Sequence, residues 1–261
     1  MKTKRSRRFI QMCSMLSGVA MFLFVGQAHA VLIDTFDEDQ GPVAVNGNGI
    51  TKFDTVVGGG IIGGERDLAV TCNSGCNSFD GLKAGANASS YVHSQDNNVG
   101  GKSRITWDGM DGIGDDLDAD GLGGVDFTDG GSEIGLFYKI LNQDVGAELT
   151  FFAYTDAGNY SKLVVPHAPT TDEDFVALYS DFMIEAGAGV DFTNVGALVL
   201  LVESTDKSLD LSLDFIRTTG GDECEQDCIP TEMPEPGTWL LFATGLIGIV
   251  GYGWRRNKSI A

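Results

Sequence analysis

The sequence predicts an all-β domain over residues 31–219, an antiparallel β-sandwich of the jelly-roll type, with a β-barrel as the alternative architecture. From Ser208 to Phe215 polar and apolar residues alternate without a break, as in a strand with one buried face. Gly, Asn and Asp clusters separate such stretches and supply turns. Helical periodicity is scarce, and one helical turn is expected within 172–185. The other predicted strands are 31–36, 50–57, 67–71, 89–94, 103–107, 134–141, 147–155, 159–165 and 195–203.

The first thirty residues have the order of a secretory signal peptide. Basic residues come first, an apolar stretch follows at 9–26, and Ala28-His29-Ala30 provides a small-x-small cleavage site. We therefore expect cleavage after Ala30. A retained N-terminal membrane helix and, from Arg7-Arg8, twin-arginine export are the alternatives.

The charge balance restricts the partners. The chain has 17 basic and 37 acidic residues, and the signal peptide holds five basic and no acidic ones, so the mature chain has 12 against 37 and a net charge of −25. Such a surface repels phosphate backbones, which excludes nucleic acid as a partner. A divalent cation or a neutral polymer is favoured instead.

The segment 107–131 contains eight aspartates, and this cluster of carboxylates predicts a calcium-binding site. Asp116, Asp118 and Asp120, followed by Gly121, match the opening of a calcium-binding loop, although Phe127 occupies the position of its closing Glu. A solvated acidic turn is the alternative. The candidate aromatic residues for stacking on sugars are Trp107, Tyr91, Tyr138, Tyr154, Tyr160 and Tyr179, of which most are expected in the core.

Four cysteines remain once the signal, with Cys13, is removed: Cys72, Cys76, Cys224 and Cys228. In an oxidising compartment they predict two disulfides, and pairing each Cys-x-x-x-Cys neighbour locally is the simplest of three connectivities. Zinc is the alternative, but neither pair has a nearby histidine.

No catalytic motif stands out, and we predict that the protein is not an enzyme. The mature chain has two histidines, His93 and His167, and no Gly-x-Ser-x-Gly sequence. Gly101-Lys102-Ser103 resembles the end of a phosphate-binding loop, but Asp96 replaces its first glycine. No pair of carboxylates can be singled out as those of a glycosidase.

Two segments follow the sandwich. Residues 220–233 are acidic, lack periodicity and are expected to form a linker. Residues 238–254 are uncharged, and at about 1.5 Å per residue they are long enough for a single transmembrane helix. Arg255, Arg256 and Lys258 follow, and they orient the tail towards the cytoplasm and residues 31–233 towards the periplasm.

Pro234, Glu235 and Pro236, the short apolar helix and the basic end together resemble the PEP-CTERM sorting signal of Gram-negative bacteria. The resemblance implies that 234–261 is a sorting tail processed by a membrane enzyme, an exosortase. It implies a protein that is first membrane-anchored and then sorted to the cell surface or the extracellular space.

The stretches GGERDLAVT, GLGGVDFTDGG, DFTNVGALVL and LDLSLDFIRTT resemble a recurrent ectodomain of such proteins, thought to be similar to carbohydrate modules. The function expected from both resemblances is a structural or adhesive component associated with exopolysaccharide or biofilm. A secreted glycan-active hydrolase is the alternative.

Overall fold

The structure, a computed structural model, describes residues 30–204 and 206–220. The predicted signal peptide, linker, Cys224, Cys228 and sorting tail lie outside the described residues, apart from Ala30 and Gly220 at their borders. Within the described part of the chain, no helix has the length and apolar character required to cross a membrane.

The described residues form fourteen strands. In chain order these are β1 (Leu32–Asp34), β2 (Gln40–Val45), β3 (Thr51–Val57), β4 (Glu65–Ser74), β5 (Leu82–Asn87), β6 (Ser90–Gln95), β7 (Gly100–Trp107), β8 (Gly135–Gln143), β9 (Ala147–Asp156), β10 (Asn159–His167), β11 (Thr170–Leu178), β12 (Met183–Ala186), β13 (Ala197–Glu203) and β14 (Asp210–Thr219).

The strands make two seven-stranded antiparallel sheets. The first has the order β11-β8-β14-β6-β5-β2, with β1 also paired to β14, and the second has the order β12-β10-β9-β13-β7-β4-β3. Each sheet keeps two edges, so the architecture is the predicted sandwich and not a closed barrel.

Alternation along the strands decides which side chains enter the core. In β9, Leu149, Phe151 and Ala153 belong to the core cluster, whereas Phe152 and Tyr154 between them are only half-buried. Successive side chains of a strand point to opposite faces, so Phe152 and Tyr154 lie on the outer face of the second sheet. The same reasoning places Arg104 and Asp67 on that face, since Ile105 and Leu68 beside them are core residues.

A buried ion pair links the two sheets. Both oxygens of Asp34 in β1 accept hydrogen bonds from Nη1 of Arg66 in β4, at 2.9 and 3.0 Å. Trp107 Nε1 donates to Asp34 at 2.8 Å, and Arg66 Nε donates to Gln40. Trp107 is fully buried in the core and is therefore not a sugar-facing residue.

All ten predicted strands are present, and four strands were missed: β2, β5, β11 and β12. The helical turn expected within 172–185 is a 3-10 turn at Tyr179–Asp181, and most of that segment is extended in β11 and β12. The acidic run 172–174 concealed the strand, because charged residues are typical of an exposed sheet edge.

Candidate functional site

The loop that follows β7 covers one end of the second sheet's outer face. Its backbone is tied to the sheet by hydrogen bonds from Gly112 N to Glu65 Oε1 and from Leu122 N to Gly196 O, both 2.8 Å. It also packs closely on β3, since a Cβ added at Gly114 would lie 2.9 Å from Thr55 Oγ1. We call residues 108–124 the acidic loop.

Beneath the acidic loop four carboxyl groups lie close together. Glu65 and Asp67 come from β4, and Asp108 and Asp111 from the loop. Ligand oxygens of Glu65, Asp67 and Asp111 all lie within 4.8 Å of one another. Asp67 and Asp108 are each 1% exposed and Glu65 is 4% exposed, whereas Asp111 is open to solvent. These four residues are the acidic cluster.

Protein donors hold one oxygen of each carboxylate. Thr55 Oγ1 donates to Asp67 Oδ1 at 2.7 Å, and the Asp118 N–H donates to Asp108 Oδ2 at 2.8 Å. Gly112 N donates to Glu65, and Ile113 N donates to Asp111 Oδ1 at 2.8 Å. The second oxygens of Asp67 and Asp108 are buried without a hydrogen-bond partner among the described residues.

The environment of the cluster opposes negative charge. Burial raises the pKa of Asp67 to about 7, against a hydrogen bond from Thr55, and the charges of Asp108, Glu65 and Asp111 add to the effect. Burial raises the pKa of Asp108 as well, and the charge of Asp111 adds to the effect, whereas the Asp118 N–H and the neighbouring Asp67 carboxyl group act against it. Within the described ranges, no basic side chain forms an ion pair with these carboxylates.

The three calcium ligands expected from the sequence lie on the solvent side of the same loop. Asp116, Asp118 and Asp120 are all exposed. Asp116 Oδ1 accepts the N–H of Leu117, and interaction with the Asp118 carboxylate raises the pKa of Asp120. None of the three belongs to the metal-competent group found among the described residues, and their role stays a prediction.

The sequence singled out the acidic loop, but Glu65 and Asp67 were not among the residues predicted. The sequence pattern that could have identified them is Glu65-x-Asp67 at the start of an apolar strand. Residues i and i+2 of a strand share a face, so the two carboxylates are expected side by side. Their convergence with the loop aspartates depends on the pairing of β4 with β7, which brings Asp67 opposite Thr106 and so next to Asp108.

A second feature of the outer face is aromatic. Tyr154 of β9 and Tyr160 of β10 are half-buried and stacked, with ring centroids 4.8 Å apart and an interplanar angle of 24°. Burial and the neighbouring Tyr160 raise the pKa of Tyr154. Arg104 lies near enough for its positive charge to oppose this shift in part. Lys162 beside them pairs with Glu185 at 2.8 Å.

Arg104 lies on the same surface, and its Nε is buried without a hydrogen-bond partner among the described residues. We call Arg104, Tyr154, Tyr160 and Lys162 the aromatic face. The other tyrosines proposed from the sequence are placed differently: Tyr91 and Tyr138 are buried, and Tyr179 stacks on Phe192 and donates to Phe127 O at 2.9 Å.

The core contains a serine–histidine contact that is not an accessible catalytic pair. His93 Nδ1 lies 2.7 Å from Ser103 Oγ, and Tyr91 donates to the same hydroxyl at 2.5 Å. His93 and Ser103 are fully buried, so no substrate reaches them in this conformation. Burial lowers the pKa of His93 to about 3, which keeps the imidazole neutral.

Cys72 and Cys76 form a disulfide, with Cα atoms 6.4 Å apart. The local pairing expected from the sequence is thus observed for the first Cys-x-x-x-Cys pair. Both cysteines are buried and belong to the core cluster.

Comparison with solved structures gives weak similarities to sugar-related proteins. A family 11 carbohydrate-binding module from Clostridium thermocellum, in complex with a β-1,3-1,4-mixed-linked tetrasaccharide, matches 74% of this chain and 98% of its own, with 13% identity and a TM-score of 0.37. An exo-β-agarase matches 72% of this chain and 24% of its own, with 12% identity and a TM-score of 0.39. Likenesses at this level carry no inference about a ligand.

None of the curated proteins compared with the chain matches it. The model of the PEP-CTERM protein-sorting motif matches residues 234–257. This match covers Pro234, Glu235 and Pro236, the apolar stretch, Arg255 and Arg256, and it implies an exported protein that is processed at the membrane. Residues 234–257, downstream of the β-sandwich, are therefore a PEP-CTERM protein-sorting motif.

Proposed function

We propose that this protein is an exported, non-catalytic polysaccharide-binding protein, a structural or adhesive component associated with exopolysaccharide or biofilm. The observation that carries the proposal is the stacked Tyr154–Tyr160 pair on the outer face of the second sheet, with Lys162 beside it. The aromatic face is the binding surface in this proposal.

The chemistry of the aromatic face fits a sugar. Tyrosine rings offer flat apolar surfaces for the C–H faces of a pyranose and lose little conformational entropy on binding. The charged groups of Lys162 and Glu185 offer hydrogen bonds to hydroxyls. The acidic surface favours a neutral glycan over a polyanionic one.

The route to that location is part of the proposal. A signal peptide over 1–30 starts export, and the tail at 234–261 anchors the chain with residues 31–233 in the periplasm until an exosortase processes it. The sorting motif at 234–257 supports this order of events. The sandwich then resides at the cell surface or in the extracellular matrix.

A glycan-active hydrolase is the second candidate, because the acidic cluster offers neighbouring carboxylates and one raised pKa. Oxygens of Glu65 and Asp67 lie within 4.8 Å of each other, and a pair of carboxyl groups is what glycoside hydrolysis requires. A carboxyl group with a pKa near 7, such as Asp67, has the property of a general acid. The burial of Asp67 and Asp108 beneath the loop opposes this function, since a sugar ring cannot contact them there.

The test is retention on a panel of immobilised neutral and acidic polysaccharides, combined with an assay for released reducing sugar. We expect retention on a neutral glycan without release. The variants Tyr154→Ala and Tyr160→Ala should each weaken binding about tenfold or more, equivalent to about 1.4 kcal/mol.

Phe79→Ala is the matched aromatic control, because Phe79 is 90% exposed and lies at a shallow cleft beside Lys83 and Asp96, on the first sheet. Loss of binding in Phe79→Ala with retention in both tyrosine variants would move the binding site to that cleft. Sugar release that disappears in Asp67→Asn would establish the hydrolase instead.

A further inference from the structure

We propose that the acidic cluster is a binding site for a divalent cation of the calcium class, formed by Glu65, Asp67, Asp108 and Asp111. The site differs from the Asp116, Asp118 and Asp120 set that the sequence suggests, and it does not depend on the proposed polysaccharide binding.

The first argument is the pair of unsatisfied oxygens. Asp67 Oδ2 and Asp108 Oδ1 are both buried without a partner among the described residues, in side chains that are 1% exposed. Buried polar atoms in folded proteins are almost always satisfied, and an unpaired buried carboxylate is costly. A cation between them would satisfy both oxygens and remove the repulsion from Glu65 and Asp111.

The second argument is that the ligands are held in place. The hydrogen bonds from Thr55 to Asp67 and from the Asp118 N–H to Asp108 each occupy one oxygen and leave the other free. Gly112 and Ile113 orient Glu65 and Asp111 in the same way. Donors of this kind orient the side chains that ligate a metal, so the cation need not order the carboxylates itself.

The donor set indicates which cation binds. All four residues supply carboxylate oxygens, and the group contains neither histidine nor cysteine, which disfavours zinc and copper. Calcium accepts six to eight oxygens in variable geometry, whereas magnesium demands near-octahedral geometry and retains its waters. An exposed Asp111 beside buried Asp67 leaves a route for calcium and for the water that completes its shell.

Binding would join two elements that are distant along the chain. Glu65 and Asp67 are strand residues, whereas Asp108 and Asp111 begin the acidic loop. A cation shared by both would fasten the loop across the end of the second sheet.

The experiment compares thermal unfolding of the full chain, followed by near-ultraviolet circular dichroism, in chelator and in calcium with excess magnesium present throughout. At a hundredfold excess over the dissociation constant, calcium should raise the melting temperature by roughly 5–10 °C. Isothermal titration calorimetry should give one calcium ion for each chain.

Asp67→Asn gives the sharpest result, because the amide keeps the acceptor for Thr55 while it removes one negative charge. In chelator this variant should melt at a higher temperature than the wild type, since repulsion is relieved. In calcium it should melt at a lower temperature, since a ligand is lost. Asp116→Asn changes the net charge equally on the solvent side of the loop and should keep the full calcium shift.

Two results would overturn the proposal. One is the absence of a calcium-dependent shift and of binding heat in the wild type, which would leave Asp67 and Asp108 to share a proton. The other is a shift that survives Asp67→Asn and disappears in Asp118→Asn combined with Asp120→Asn, which would assign the cation to the solvent side of the loop. Neither result bears on polysaccharide retention, so failure of this site and failure of the proposed function are distinguishable.

Discussion

Buried polar side chains in this sandwich fall into two kinds. Asp34 accepts bonds from Arg66, Trp107 and the Phe36 N–H, so both of its oxygens have donors, although burial still raises its pKa. Asp67 and Asp108 each retain an oxygen without a partner among the described residues. The first kind fastens strands together, because a compensated ion pair in the core fixes the register of both partners. The second kind indicates a site for a ligand.

His93 gives a prediction at this scale. Its native pKa of about 3 lies below the ordinary value of 6.5, so between these values the unfolded chain binds a proton that the native state excludes. Stability should therefore be unaffected by this group above pH 6.5 and should fall as the pH decreases towards 3. From pH 7 to pH 5, wild type should lose about 2 kcal/mol relative to His93→Gln, whose amide does not titrate.

Urea unfolding of both proteins at the two pH values measures this difference. The carboxylates titrate in both proteins, so their contribution to the free energy of unfolding cancels in the comparison. His167→Gln is the matched control: burial lowers the pKa of His167, but the charge of Glu173 raises it and reduces the pH effect. A wild-type and His93→Gln difference that does not change with pH would mean that His93 is protonated, or exposed, in the native protein.

The strands that sequence reasoning missed share a position in the sheets. β2 and β11 are the edges of the first sheet, β12 is an edge of the second, and β5 lies beside β2. Edge strands contain residues that central strands exclude, here Pro42 in β2 and the acidic run of β11. In β5, a Cβ added at Gly85 would lie 2.3 Å from Gln40 O, so the position requires glycine. A glycine there interrupts the alternation of apolar and polar residues that identifies a strand.

The candidate site was predictable only in part, for a related reason. The aspartates of the loop lie close together in sequence, so composition identified the segment. The burial of Asp108 depends on the docking of the loop onto β4 through Glu65 and Gly112, a contact between residues 47 positions apart. Local spacing therefore favoured Asp116, Asp118 and Asp120, which remain in solvent.

The disulfide at the end of β4 gives the prediction at the scale of elements. Cys72 lies in the strand, and Cys76 follows the turn at Gly75, whose φ of +82° is in the left-handed region. A disulfide that closes so short a loop contributes about 2 kcal/mol by restricting the unfolded chain. The variant Cys72→Ala with Cys76→Ala should lose about that free energy of unfolding.

Wild type unfolded under reducing conditions should match the double variant, which serves as its internal control. Denatured, unreduced wild type should give no thiol labelling at these two cysteines. Equal stability in all three samples would mean that the two alanines or the free thiols pack as well as the disulfide and that the bond contributes nothing.

The whole molecule combines an acidic sandwich with a sorting motif. The full chain holds 37 acidic and 17 basic residues, and such a charge balance disfavours contact with anionic surfaces. We therefore expect attachment to a membrane to depend on a dedicated segment. The sorting motif at 234–257 has the composition for it, with Pro234, Glu235 and Pro236 before the apolar stretch and basic residues after it.

The last prediction tests that segment as a unit. Changing Pro234, Glu235 and Pro236 together to alanine should leave the chain bound to the membrane at its unprocessed mass. The reason is that prolines favour an extended backbone, which a protease cleft accepts, while the apolar stretch and Arg255, Arg256 and Lys258 are unchanged and are expected to hold the tail. Thr231→Ala, Glu232→Ala and Met233→Ala combined are the matched control, since they too remove one glutamate, immediately before the motif. Fractionation and intact-mass measurement in a host that contains an exosortase decide the outcome: processing that persists in the first variant, or that is lost equally in both, would contradict a role for the Pro-Glu-Pro sequence itself.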